Sequence, residues 1–149
     1  MADQNGAENP IDQIRDSLES QLRQQQSQLD AQRAARSGYL AKAAEIGAVY
    51  DDLALEKDEV VKLRESVVTL RDKEYDRFRG NLYRSKHVAN MTALASAYDS
   101  LVSRVDANLD ALNDERKKYE NLAYDCDGPI GLLEQGVNSI VRSIQNLVN

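Results

Sequence analysis

From Ile11 onward, apolar side chains recur at helical spacing: Ile11, Ile14, Leu18, Leu22 and Leu29, with Gln25 filling the gap. They form one narrow stripe, and the surrounding positions are Gln, Arg, Asp, Glu or Ser. A helix this polar buries one side only, so the segment 11–36 is predicted to lie on the outside of the fold or to pair with another chain. Ser37-Gly38 predicts a bend, because Gly costs about 1 kcal/mol relative to Ala inside a helix.

A seven-residue repeat follows. Ile46, Leu53, Val60 and Val67 form one series, and Val49, Glu56, Leu63 and Leu70 form a companion series broken only by Glu56. The repeat returns as Met91, Tyr98, Val105, Leu112 and Tyr119, with Leu94, Leu101, Asn108, Glu115 and Leu122 beside it. Two such seams predict two helices facing each other, and the apolar members of all four series are the candidate seam and partner-binding residues.

Between the seams, EYDRFRGNLYRSK contains Gly80-Asn81, a pair able to adopt left-handed backbone angles and reverse the chain. The reversal is placed at 77–82. A second interruption, YDCDGPIG at about 125–129, predicts a helix end followed by a new start with Pro129 in its first turn. The last segment reads Ile130, Leu133, Val137, Ile140, Ile144 and Leu147, an apolar stripe opposite Glu134, Asn138, Arg142 and Asn146. This stripe and the one at 11–29 are a second candidate interface.

The predicted layout is a polar, disordered leader at 1–10 and one helical domain at 11–149. It comprises a helix over about 11–76, a turn, a helix over about 83–124, a break, and a helix over about 130–148. The fold class is all-α: an elongated antiparallel helical hairpin, coiled-coil-like, with an N-terminal polar amphipathic helix and a short C-terminal amphipathic one.

Composition agrees with this. Charged residues make up 30% of the 149 positions and aromatic residues only 5%, without Trp and with a single Phe, so the core must be aliphatic and thin. The net charge of −6 is spread along the chain, and no basic face suited to tracking phosphates emerges, which argues against nucleic acid. No apolar run approaches the roughly 20 residues that span a bilayer, and the opening MADQNGAENP lacks the features of a signal peptide. The expected location is cytoplasmic, without stable membrane insertion.

Candidate chemistry is sparse. The one histidine, His87, lies in the polar run RSKH without a partner at catalytic or metal-ligating spacing, and is read as a solvated surface residue. Cys126 is alone, so it forms no internal disulfide and reads as a reduced spectator thiol. Acidic pairs such as Asp51-Asp52 point about 100° apart on a helix, not at a shared metal. No phosphate-loop, dinucleotide, thiol-redox, zinc-protease or nucleophile-elbow string occurs. The chain is expected to be no enzyme and to need no cofactor.

Phe78-Arg79-Gly80 sets the only Phe two residues before the turn glycine, between two long heptad-patterned helices. This resembles the Trp-X-Gly turn of type VII secretion substrates, with Phe in place of Trp. The longer chain, the polar opening helix and the DGPIG break are more similar to the small helical companions of LXG-domain toxins in Gram-positive bacteria. That resemblance implies a chaperone-like partner that binds the toxin's helical N-terminal region, alone or with a second small helical companion, and assists its secretion. Co-export with the partner is the corresponding alternative to a cytoplasmic residence. The chain departs from the pattern in having no Tyr-X-X-X-Asp/Glu string after the second long helix.

Two other readings stay open at this level. Heptads fit equally well a homo-oligomeric coiled-coil scaffold or adaptor unrelated to secretion. A membrane-surface role for the last helix is disfavoured by its single basic residue, Arg142.

Overall fold

A computed structural model describes residue 6, residues 9–73 and residues 80–149. Among the described residues all regular structure is helical: α1 is Pro10–Asp72, α2 Asn81–Asp125 and α3 Asp127–Val148. The protein is an all-α helical hairpin fold. It divides into two compact units: a terminal unit of Met1–Lys42 with Tyr119–Asn149, and a hairpin unit of Ala43–Lys118.

α1 starts where Asn9 caps it. The Asn9 side-chain oxygen accepts the Ile11 N–H at 3.1 Å, and its carbonyl accepts the N–H groups of Asp12 at 2.8 Å and Gln13 at 3.2 Å. Pro10 is the first helical residue, where its missing N–H costs nothing. Helical structure thus begins inside the expected leader, most of which lies outside the described residues.

The predicted bend at Ser37-Gly38 does not interrupt α1, which is one continuous helix of 63 residues. Good helix formers on both sides outweigh a single glycine. α1 ends at Asp72, four residues before the expected limit, and α2 begins at Asn81. No described non-glycine residue has a positive φ, and Asn81 opens α2 as an ordinary helical residue. Phe78 and Arg79 lie outside the described residues.

The predicted break at 125–129 shrinks to Cys126 alone. Its cause is Pro129, which has no N–H to give to the Asp125 carbonyl and whose ring crowds it. Cys126 N–H turns instead to the Ala123 carbonyl at 3.2 Å, and helical bonding resumes with Ile130 N–H on the Cys126 carbonyl at 3.0 Å.

In the terminal unit α3 runs antiparallel to the first part of α1. Arg33 pairs with Glu134 at 2.7 Å and Arg36 with Asp127 at 2.8 Å, the latter placing an acid at the N-terminus of α3, where the helix dipole favours it. Gly136 admits the Gln25 side chain; a methyl group at 136 would run into the Gln25 amide oxygen. Leu29, Ala123, Cys126 and Ile140 are buried here, and the rings of Tyr39 and Tyr119 are tilted together at 6.3 Å.

Candidate functional site

No group of three or more metal-ligating side chains occurs among the described residues, and no described helix is long and apolar enough to cross a membrane. Burial sorts the apolar residues differently from the sequence pattern.

In the hairpin unit α1 and α2 are antiparallel, fixed by Lys57 against Asp106 and Arg64 against Asp99, each at 2.5 Å. The first series of each helix faces the seam. Val67 is buried, while Ile46, Leu53, Val60, Met91, Tyr98, Val105 and Leu112 are half-buried. Tyr119 and Leu122, in the terminal unit, are half-buried as well.

The companion series is a correction. Val49, Leu63, Leu70, Leu94 and Leu101 are between 41% and 54% exposed, outside the seam. The positions that close it lie one residue further on. In α1 they are Ala43, Tyr50, Lys57, Arg64 and Arg71; in α2, Ala95, Val102, Leu109 and Arg116, with Ala123 in the same series in the terminal unit. Ala43, Ala95, Leu109 and Ala123 are buried.

Lys57, Arg64 and Arg116 fill seam positions because long basic side chains cover apolar surface with their stems and send the charge outward. Two of those charges end on Asp106 and Asp99, and the Arg116 guanidinium lies over the Tyr50 ring at 5.7 Å while donating to Asn113 at 2.8 Å. The Lys57 ammonium is held above its ordinary range, first by its hydrogen bond to Asp106 and then by attraction to that carboxylate, against partial burial.

The second candidate interface is mostly used within the chain. Leu29 and Ile140 are buried, and Leu18, Leu22, Ile130, Leu133, Val137, Ile144 and Leu147 are half-buried as α3 covers α1. Ile11 and Ile14 are the exception, each about half exposed at the start of α1.

His87 is not simply solvated. Its Nε2 lies 2.8 Å from the Leu70 carbonyl in the last turn of α1. A carbonyl only accepts, so Nε2 carries the hydrogen, and the ring ties the start of α2 to one of the carbonyls that a helix end leaves unsatisfied. Cys126 is a buried free thiol that donates to the Leu122 carbonyl at 3.4 Å.

Comparison with protein-family models, with curated proteins and with solved structures finds no match.

Proposed function

We propose that this chain is a non-catalytic helical docking protein, a companion that packs against the helical N-terminal region of an LXG-type toxin and assists its type VII secretion. The observation that supports docking is that large aliphatic side chains stay about half exposed at helical spacing in both units. In water such rows favour association with another apolar helix face. The toxin class comes from the resemblance around Phe78-Arg79-Gly80 and the DGPIG break.

The toxin contact is placed at the start of α1. There the stripe that α3 covers from Leu18 to Leu29 continues into Ile11 and Ile14, half exposed, with a ready surface for a partner helix. Co-expression with the N-terminal region of an LXG toxin encoded beside this chain, followed by size exclusion with light scattering, tests the reading. A complex that survives chromatography and is lost in Ile14→Asp supports it; separate elution of the two chains overturns it.

A further inference from the structure

Four of the leucines left out of the hairpin seam, Leu63, Leu70, Leu94 and Leu101, are not scattered. Each exposed row lies one residue before a seam position: Val49, Glu56, Leu63 and Leu70 before Tyr50, Lys57, Arg64 and Arg71, and Leu94, Leu101, Asn108 and Glu115 before Ala95, Val102, Leu109 and Arg116. In an antiparallel helix pair, the positions just before this seam series flank the seam on the same side in both helices. Asp99 and Asp106 lie one residue after the seam positions Tyr98 and Val105, so the two ion pairs close the opposite flank.

The register set by those pairs puts Leu63 level with Leu101, and Leu70 level with Leu94. One flank of the hairpin unit therefore carries four large aliphatic side chains, 41% to 52% exposed, toward the end where α1 stops and α2 starts. Further from that end the same face is mixed, with Glu56, Asn108 and Glu115 polar and Val49 exposed beside them.

The outer edges of this face are oppositely charged. Along α1 the next row out is Glu45, Asp52, Glu59 and Ser66; along α2 it is Ala97, Arg104, Ala111 and Lys118. By the same register Glu59 is level with Arg104, and Glu45 with Lys118. A face with an acidic edge and a basic edge at matching heights is complementary to itself.

We infer that this face binds a second copy of the chain, related by a two-fold axis parallel to the helices, so that α1 of each copy lies on α2 of the other. Leucine meets leucine at one end, Glu56 meets Asn108 further along, Val49 meets Glu115 at the far edge, and each Glu59 faces an Arg104 of the second copy. The alternative two-fold, perpendicular to the helices, sets acidic edge on acidic edge and leucines on Glu56 and Glu115. The area suffices: the 26 residues from 45 to 70 span about 39 Å, and two helices about 20 Å across give about 800 Å² per copy, the size of a standard interface. None of these observations uses the toxin contact proposed at Ile11 and Ile14.

Sedimentation of the full chain across a concentration series tests the assignment. Wild type is expected to form a dimer, and Leu101→Glu, on an exposed position, a monomer with unchanged helical circular dichroism. Glu59→Arg and Arg104→Glu, each alone, set like charges against each other twice per dimer and are expected to weaken association at least about tenfold. An equimolar mixture of the two variants restores both opposite-charge pairs and is expected to recover wild-type association. A wild-type chain monomeric up to ~100 µM, well above the micromolar end for interfaces of this size, overturns the proposal. So does a dimer indifferent to Leu101→Glu, or a mixture that associates no better than its components.

Discussion

Leu109 and Leu101 lie eight residues apart on α2, and truncating each to alanine separates the seam from its flank. Leu109 is 7% exposed and Leu101 42% exposed. Leu109→Ala removes a side chain whose full burial contributes about 1.5 to 3 kcal/mol and leaves a gap between two helices, so the expected cost is about 2.5 to 3.5 kcal/mol, within the usual range for buried Leu→Ala. Leu101→Ala removes a side chain with nearly half its surface already wet and no enclosing wall, so the expected cost is about 1 kcal/mol. Urea unfolding followed by far-UV circular dichroism measures both, at a protein concentration low enough to keep the chain monomeric and so exclude any contribution from association. Equal costs, or a larger cost at Leu101, would refute the assignment of the seam to Ala95, Val102 and Leu109.

His87→Ala is expected to lose about 0.5 to 1.5 kcal/mol, the contribution of one hydrogen bond to the end of α1, with His87→Gln recovering part of it; chemical denaturation checks both. Gly38→Ala, where an added methyl meets open space inside a continuous helix, is expected to raise stability by about 0.5 to 1 kcal/mol in the same assay. The raised pKa of Lys57 means that its stabilising contribution is fully present below the ordinary lysine pKa of about 10.4 and fades as pH rises through its folded value. Wild type is therefore expected to lose more stability than Lys57→Met on passing to pH values above that range, and parallel pH profiles of unfolding would contradict it.

The sequence by itself determined that the protein is helical, where its long amphipathic segments lie, and one series of each seam. Ile46, Leu53, Val60 and Val67 were legible because aliphatic side chains seven residues apart return to nearly the same helix face. Pro129 was legible as a break because its missing N–H is a local fact. Asn9 was an overlooked cap, although an Asn directly before Pro and an apolar stripe is a recognisable helix start.

The companion series could be decided only by the tertiary structure. From Ile46 a seam partner can lie three or four residues on, and the pattern favoured the apolar choice, Val49, over Tyr50. In the folded chain Lys57 and Arg64 occupy the seam because Asp106 and Asp99, distant in sequence, receive their charges as their stems cover the hairpin. The role of His87 likewise depends on which helix lies opposite. A periodic pattern states which residues share a face; which flank of that face is covered is set by contacts between segments that the local pattern does not contain.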